Sequence, residues 1–228
     1  MSFLQRFPYV HNRSLWQRCS RFFSSKSALS VLVVGIGNPT PTYNGTRHSV
    51  GHYILDKMIE EYWTNFGSFK PMALNSLFVY SKSQTAELSN VLLAKTVSSY
   101  MNLSGTPVSK LWQKYHQQNL NSRPAMVVLH DELQVPLGKI QIRRRNTSAR
   151  GHNGLRSIDQ AIGSNYIKLA IGIGKPPQKT LVLDFVLARF SPVELETLAE
   201  QTMPKVAKAM AEFAKGQHIY ETYDHSKK

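Results

Sequence analysis

SVLVVGIGNP, at residues 30–39, is the stretch that decides the fold of this 228-residue chain. Its run VLVV, at 31–34, is apolar on both faces, as in the central strand of a sheet that helices cover on both sides. A turn that contains Asn38 follows the strand at once. Because ligands of α/β proteins bind beyond the carboxyl ends of such strands, Asn38 is the first candidate for a functional residue.

Outward from this strand, helical and strand patterns alternate along the chain. We predict further strands at 77–83, 91–96, 125–133, 139–145 and 166–174, and helices at 50–66, 107–117 and 154–162. A last helix begins with a capping box at Ser191, runs to about residue 214 and is kinked or split by Pro204. The alternation predicts one α/β domain over residues 29–228, with a mixed, mostly parallel sheet flanked by helices.

The composition is that of a globular protein. With 42% hydrophobic and 18% charged residues, the chain can bury a sizeable core and does not resemble a disordered segment. No apolar run approaches the length of a membrane span. Cys19 is the single cysteine, so no internal disulfide can form, which fits a reducing compartment.

The charge balance is strongly basic, with a formal net charge of +14. Such an excess usually indicates an anionic partner, nucleic acid before a membrane surface. Residues 1–28 hold five basic residues and no acid, and are rich in serine and aromatic residues. This composition predicts a disordered mitochondrial presequence, with a merely basic tail as the alternative. Without those five charges the rest of the chain still carries +9.

Polar residues recur beside glycines or at predicted strand ends in five short blocks. These are GIGNP at 35–39, TRHS at 46–49, MNLSG at 101–105, HDEL at 130–133 and GHNG at 151–154. They supply Asn38, His48, Asn102, Asp131 and Asn153. A histidine can act as a general base, an aspartate can fix its tautomer, and neutral amides can polarise a carbonyl. Together they form a set suited to hydrolysing an activated carbonyl.

Each of these residues also has a simpler interpretation. His48, in a polar loop, could be only solvated, and Asp131, Asn102 and Asn153 could cap helices or turns. A cap needs one oxygen acceptor, whereas an amide in a site offers both donors and an acceptor to a peptide bond. His48 and Asp131 can meet if their two strands are neighbours in the sheet.

Other chemistries fit the sequence less well. The loop after the first strand has Thr40 where a dinucleotide-binding fingerprint needs a third glycine. No G-x-S-x-G elbow occurs, and Cys19 lies in the expected presequence. No H-E-x-x-H pair occurs, so we predict neither a metal nor a cofactor. Water activated directly by the histidine is the simplest remaining nucleophile.

The densest basic cluster, RRRNTSAR at 143–150, lies between the HDEL and GHNG blocks. A solvated strand end is the simpler interpretation. Its position beside the proposed site favours contacts with RNA phosphates. The candidate RNA-binding residues are Arg143, Arg144, Arg145, Arg150 and Lys168.

Taken together, GIGNPTPTYNGTRHSVGHYILD, YMNLSG, HDELQVP and GHNGLRSI resemble the bacterial-type peptidyl-tRNA hydrolase family in order and spacing. The resemblance implies an enzyme that cleaves the ester between a peptide and the 3′ ribose of tRNA. It further implies a monomeric, single-domain α/β protein that needs no metal. Peptidyl-tRNA is then the expected partner.

The same resemblance assigns roles position by position. His48 corresponds to the catalytic base and Asp131 to its partner. Asn38 and Asn102 correspond to groups that position the substrate, and Asn153 to the asparagine that orients the water and contacts the substrate.

Two further residues match the family, and some depart from it. Tyr43 matches an aromatic residue near the 3′ end of the tRNA, and His152 matches a histidine next to the site. Ser49 stands where the family usually has asparagine, and Ala170 where it often has arginine, with Lys168 nearby. NTSAR replaces a glycine-rich loop. These departures concern tRNA contacts rather than the core chemistry.

With its expected presequence, the chain resembles a mitochondrial member of the family, acting in the matrix. The rival interpretation is an RNA-binding relative without catalysis, like the chloroplast proteins that serve intron splicing. A peripheral membrane protein would need a basic amphipathic helix, and the last helix mixes lysines with glutamates.

Overall fold

The computed structural model describes residues 28–71, 77–176 and 182–221. The expected presequence lies outside these residues, apart from Ala28. The strands are β1 (Leu29–Gly35), β2 (Lys70–Pro71), β3 (Val79–Lys82), β4 (Val91–Lys95), β5 (Arg123–Glu132), β6 (Ile140–Arg143) and β7 (Ile167–Gly172). They form one seven-stranded sheet in the order β2-β3-β4-β1-β5-β7-β6.

The centre of the sheet is parallel and its edges are antiparallel. β4, β1, β5 and β7 run in the same direction, with β1 between β4 and β5. β3 pairs antiparallel with β4 as the predicted hairpin, and β6 pairs antiparallel with β7. The predicted α/β fold with a mixed sheet is therefore confirmed, and β1 is the central strand that its apolar sequence indicates.

Helices cover both faces of the sheet. They are α1 (Val50–Lys57), α2 (Gly105–Gln118), α3 (Asn153–Ile162), α4 (Val182–Leu187), α5 (Pro192–Thr197) and α6 (Met203–Ala214). A π-helical turn, Met58–Tyr62, continues α1, so the helix predicted to reach residue 66 ends at Tyr62. The sequence patterns did not predict α4 or the short β2.

The C-terminal helix is split, as Pro204 predicts. Ser191 accepts a hydrogen bond from the backbone N–H of Glu194 and completes the predicted capping box of α5. A π-helical turn, Leu198–Thr202, separates α5 from α6, and Pro204 lies in the first turn of α6. Proline has no N–H and its ring crowds the preceding turn, so the regular α-helical hydrogen bonding is interrupted before it, while residues 192–214 all stay helical.

Side chains of β1 alternate between two buried layers. Val31 and Val33 pack on the side of α1 and α6, whereas Leu32 and Val34 pack on the side of α2 and α3. All four are at most 1% exposed. The burial of both faces explains why this strand is apolar throughout.

Two glycines set the height of α1 above the sheet. A Cβ atom on Gly35 would lie 2.4 Å from the carbonyl oxygen of Gly51, and one on Gly51 would lie 2.6 Å from that of Leu129. Only hydrogen side chains allow the first turn of α1 to approach the ends of β1 and β5 this closely. This approach brings the 3₁₀ turn Arg47–Ser49, just before α1, to the carboxyl edge of the parallel strands.

None of the helices in the described residues combines the length and apolar character needed to cross a lipid bilayer.

Candidate active site

His48 and Asp131 meet at the carboxyl edge of the sheet. His48 lies in the turn Arg47–Ser49, and Asp131 lies near the end of β5, the neighbour of β1. The Nδ1 atom of His48 is 2.8 Å from Oδ1 of Asp131. The carboxyl group is 3% exposed and the imidazole 15%. Nδ1 therefore donates its proton to the carboxylate, and the tautomer leaves a lone pair on Nε2.

His152 contacts the same carboxylate oxygen, with Nε2 2.9 Å from Oδ1 of Asp131. Its other nitrogen, Nδ1, accepts a hydrogen bond of 3.2 Å from the backbone N–H of Leu155 and so caps α3. Both ring nitrogens of His152 are thus engaged. Nε2 of His48, by contrast, makes no hydrogen bond with the described residues, so of these two rings only His48 offers a free nitrogen to a substrate.

A third histidine lies behind the pair. His130 is fully buried, its Nδ1 is 2.7 Å from the backbone oxygen of Asp131, and its ring packs edge-on against His152 with centroids 5.1 Å apart. Burial, reinforced by the electrostatic interaction with His152, lowers the pKa of His130 to about 3. This ring is therefore neutral at physiological pH and supports the site without exchanging protons with solvent.

The carboxyl group of Asp131 stays ionised. Burial alone would raise its pKa, but the electrostatic interactions with His152 and His48 and the hydrogen bonds from both rings outweigh burial and lower the pKa well below its usual range. A permanent negative charge beside Nδ1 stabilises the imidazolium that forms when His48 takes up a proton.

Two hydrogen bonds orient Asn38 and leave its side-chain N–H groups available as donors. Its Oδ1 accepts a hydrogen bond of 2.8 Å from the backbone N–H of Met101, and its own backbone N–H donates to Oγ of Ser49 at 3.1 Å. The bond from Met101 fixes which amide atom is oxygen. Nδ2 then remains as a donor for a substrate carbonyl. Ser49, a departure from the family pattern, supports Asn38 through its hydroxyl.

The alternative of helix caps does not hold for the other polar candidates. Asn102 lies within the 3₁₀ turn Met101–Leu103, and the N-cap position of α2 is Ser104. Asn153 is the first residue of α3, which His152 caps. Asp131 lies inside a strand. Asn102 and Asn153 are both exposed, so their amides are available to a ligand.

An open cleft of about 500 Å³ begins at the histidines. One side is formed by His48, Asp131 and the start of α3, including Asn153. The other side is apolar and comes from α4, through Val182, Leu183 and Val186. Leu183 is 67% exposed, so it presents an apolar side chain at the cleft.

The sequence patterns missed α4, because a six-residue helix gives too little periodicity; the run VLDFVL was its only signal.

Tyr43, predicted from the resemblance, is half-buried. Its ring meets the exposed ring of Tyr100 edge-on, with centroids 6.2 Å apart. Tyr100 immediately precedes the turn that carries Asn102. The pair forms an aromatic surface beside the 3₁₀ turn.

His48, Asp131 and His152 are also the candidate metal ligands in the described residues, since one ligand atom of each lies within 4.8 Å of the others. In the present geometry, both imidazole nitrogens are at hydrogen-bond distance from one carboxylate oxygen. Zinc binds each ligand atom at about 2.0–2.2 Å, so the three groups would have to rearrange around an ion.

The structure corrects the predicted RNA-binding set at two positions. Lys168 is fully buried, with Nζ 4.0 Å from the ring centroid of Tyr166 and 3.9 Å from Asp159. Arg143 is 5% exposed and donates to the backbone oxygen of Ser148. Phosphate groups cannot reach these two side chains. Lys168 lies near Asp159 of α3, and the alternating pattern of 139–145 does not reveal the burial of Arg143.

The remaining basic candidates lie apart from one another. Arg150 lines the cleft and is exposed, with a single hydrogen bond of 3.3 Å to Gln141. Arg144 pairs with Glu221 at 2.9 Å, and Arg145 lies over the ring of Tyr220. Arg144 and Arg145 follow the end of β6 that points away from Asp131, so these two residues do not flank the cleft as predicted.

Fold and site together define an α/β enzyme in which a histidine, oriented by a buried carboxylate, borders a cleft that the amide of Asn153 also lines. A family model for peptidyl-tRNA hydrolase matches residues 32–228. The peptidyl-tRNA hydrolase of Wolinella succinogenes is 38% identical over 187 residues, covering 82% of this chain and 88% of the relative. That of Saccharomyces cerevisiae is 36% identical over 190 residues, covering 80% and 96%.

A solved structure is similar as well. The crystal structure of peptidyl-tRNA hydrolase from Acinetobacter baumannii superposes with a TM-score of 0.62 at 27% sequence identity, covering 88% of this chain and 99% of the other. The chain belongs to the peptidyl-tRNA hydrolase family. The predicted enzyme class is confirmed, and the non-catalytic alternative is not favoured.

Proposed function

We propose that this protein releases peptides from peptidyl-tRNA through a water molecule that His48 activates. The observation that carries the proposal is the 2.8 Å contact between Nδ1 of His48 and the buried carboxylate of Asp131, at the edge of an open cleft. Nε2 of His48 takes a proton from water, and the hydroxide attacks the ester carbonyl. The electron pair of the C=O bond moves to its oxygen. When the tetrahedral species collapses, the ribose oxygen leaves and takes the proton back from His48.

Asn38 is the proposed donor to the carbonyl oxygen. Its Oδ1 is occupied by the N–H of Met101, so its amide N–H groups can stabilise the negative oxygen of the tetrahedral species. A neutral amide does so without placing a positive charge beside His48, which would weaken it as a base. General base catalysis supplies about 10²–10⁴-fold, and positioning supplies more.

Asn102 and Asn153 are the proposed contacts to the peptide bond, and Tyr43 the proposed contact to the 3′ end of the tRNA. These side-chain amides pair with the N–H and C=O of the peptide bond. A free aminoacyl-tRNA has no such peptide bond, so the amides would be left without partners. Unmet polar groups in a site reject the wrong substrate strongly. The enzyme therefore spares aminoacyl-tRNA and cleaves N-blocked substrates.

The test is single-turnover hydrolysis of N-acetyl-aminoacyl-tRNA by His48→Ala. The variant should lose turnover by at least about 10²-fold while its circular dichroism is unchanged. His116→Ala, at an exposed position of α2, is the matched control and should retain the wild-type rate. Hydrolysis by His48→Ala within twofold of wild type rejects the proposal, and binding without hydrolysis by the wild type would favour the splicing-type alternative.

We propose further that the enzyme acts in the mitochondrial matrix as a monomer and needs no metal. The basic, acid-free composition of residues 1–28 supports the location, and the intrinsic lability of a ribose ester supports the chemistry. A reporter fused to residues 1–28 should enter mitochondria, and a copy with its five basic residues replaced by glutamine should not. Equal import of both would refute the location, and loss of activity with a chelator would refute the metal-free mechanism.

A further inference from the structure

Arg47, the residue before His48, has an almost fully buried guanidinium. It is 8% exposed. Nη1 donates to the backbone oxygens of Phe185, Ala188 and Arg189 at 3.4, 3.3 and 3.0 Å, and Nη2 lies 2.7 Å from both carboxylate oxygens of Glu194. Nε is buried and has no partner among the described residues. Nothing in the proposed chemistry uses this side chain.

The contacts of Arg47 join two walls of the cleft. The three carbonyl groups belong to the last turn of α4 and the two residues after it, where a short helix leaves its oxygens unpaired. A cation at this end of a helix also complements its dipole. The guanidinium carbon further lies 4.4 Å from the ring centroid of Phe185 and 5.4 Å from that of Phe190. Arg47 thereby caps the C-terminal end of α4, and α4 forms the wall of the cleft opposite His48.

The backbone strengthens the same junction. The N–H of Arg47 donates to the oxygen of Ala188 at 3.0 Å, and the N–H of Phe190 donates to that of Gly45 at 3.1 Å. The turn that carries His48 and the segment after α4 are therefore joined by backbone hydrogen bonds as well as by the side chain of Arg47.

Glu194 links the junction to α5. One of its oxygens accepts the backbone N–H of Ser191 at 2.7 Å, as part of the capping box, while both oxygens accept from Arg47. Burial would raise the pKa of this carboxyl, but the hydrogen bonds from Arg47 and Ser191 outweigh it and lower the pKa. The pair is thus held as two ions.

We propose that Arg47 is a positioning residue for hydrolysis: by clamping α4 and Glu194, it fixes the apolar wall of the cleft relative to His48. The inference rests on the proposed role of His48 as the base. A guanidinium is required because one planar fork must reach three carbonyls and a carboxylate at once, and an ammonium group cannot match that geometry.

The experiment compares Arg47→Lys with Ser191→Ala, at a temperature well below both melting points. Each variant weakens this region, but only the first removes the guanidinium contacts with α4 and Glu194, while the backbone hydrogen bonds between the two segments remain in both. We expect kcat on N-acetyl-aminoacyl-tRNA to fall by on the order of 10- to 100-fold in Arg47→Lys, with a much smaller change in KM. Ser191→Ala should lower the melting temperature and leave kcat within twofold of wild type.

A normal kcat in folded Arg47→Lys, with only a lower melting temperature, overturns the inference and makes Arg47 a purely structural residue. If Arg47→Lys does not fold, Glu194→Gln carries the test. Glutamine also serves in a capping box, so this variant removes the charged partner of Arg47 while keeping α5 capped. A severalfold loss of kcat is expected there, and an unchanged kcat overturns the inference. Activity in His48→Ala would instead refute the proposed function, so the two failures are distinguishable.

Discussion

Around the carboxylate of Asp131, three imidazole rings occupy different environments. His130 is fully buried, and burial is the main reason that its pKa is lowered to about 3. One ring nitrogen of His152 contacts Asp131, and the other accepts the hydrogen bond that caps α3. His48 has one nitrogen on Asp131 and borders the cleft. Position along the chain does not distinguish the three; the hydrogen-bond partners of each nitrogen do.

At the residue scale, Asp131→Asn is expected to keep the fold and lose most of the rate. An amide oxygen can still accept a hydrogen bond from His48, but it carries no charge to stabilise the imidazolium. We expect kcat to fall by at least about 10²-fold with KM nearly unchanged, measured by steady-state hydrolysis of N-acetyl-aminoacyl-tRNA. An equal fall in KM and kcat would instead indicate that the carboxylate acts on ground-state binding.

At the scale of elements, strands with strong patterns could be predicted from the sequence. The apolar run of β1 and the hairpin of β3 and β4 follow from local composition, and Ser191 and Pro204 mark where the last helix starts and splits. The blocks that hold Asn38 and Asp131 follow or end predicted strands, and parallel strands align those ends, so the sequence predicted that His48 and Asp131 can meet at the carboxyl edge.

What the sequence could not predict depends on contacts between distant segments. Arg47 and Glu194 are 147 positions apart, and no local pattern links them. Lys168 packs against Tyr166 and lies near Asp159 of α3, and Arg143 donates to Ser148, so both basic side chains are buried although local composition indicates exposure. The double role of His152 likewise needs both the cap of α3 and the position of Asp131.

The crossing of α2 and α3 gives a prediction at this scale. A Cβ atom on Gly105 would lie 2.2 Å from the backbone oxygen of Ser157 in α3. Alanine normally stabilises a helix relative to glycine, by about 1 kcal/mol, so a clash reverses the expected sign. Gly105→Ala should lower the free energy of unfolding by about 1–3 kcal/mol in urea denaturation. Thr106→Ala, exposed beside it, is the control; stabilisation by Gly105→Ala would show that the helices are less closely packed.

At the scale of the whole molecule, the positive charge is spread over both ends of the sheet. Arg150 is exposed at the cleft, whereas Arg144 is paired with Glu221 at the opposite end. We propose that Arg150 contacts the phosphate nearest the reacting ester. Arg144 and Arg145 lie farther away and can contact only more distant phosphates of the RNA.

Salt dependence of tRNA binding separates these two surfaces. Arg150→Ala should reduce the slope of log K against log salt by about one, as expected for the loss of one phosphate contact. Arg144→Ala, the matched control, should leave the slope nearly unchanged because its charge is already paired. The reverse result would place the RNA surface at the Glu221 end.

Two buried histidines make the stability of the whole molecule sensitive to acid. Burial, with a smaller effect of Lys95, lowers the pKa of His52 to about 3, as burial does for His130. Below pH 6.5 the unfolded chain protonates these rings while the folded protein does not, so the free energy of unfolding falls as the pH drops from 6.5 towards 3. Asp131, whose pKa is also lowered, loses its contribution only below about pH 4, so between pH 6.5 and pH 4 the two histidines dominate the change.

Urea denaturation of His52→Gln at pH 7 and pH 4.5 measures this effect. The variant should lose about 2 kcal/mol less than wild type between the two values, because one titrating ring has been removed. His116→Gln, at an exposed position, should follow the wild type. Identical pH dependence of His52→Gln and wild type would show that His52 is not neutral in the folded protein.

The most direct measurement of the central claim is the tautomer of each site histidine by ¹⁵N NMR of the free enzyme at neutral pH. We predict that His48 carries its proton on Nδ1, towards Asp131, and leaves Nε2 unprotonated for water, whereas His152 carries its proton on Nε2. A neutral His48 protonated on Nε2 would have no lone pair facing the substrate and would contradict its role as the base.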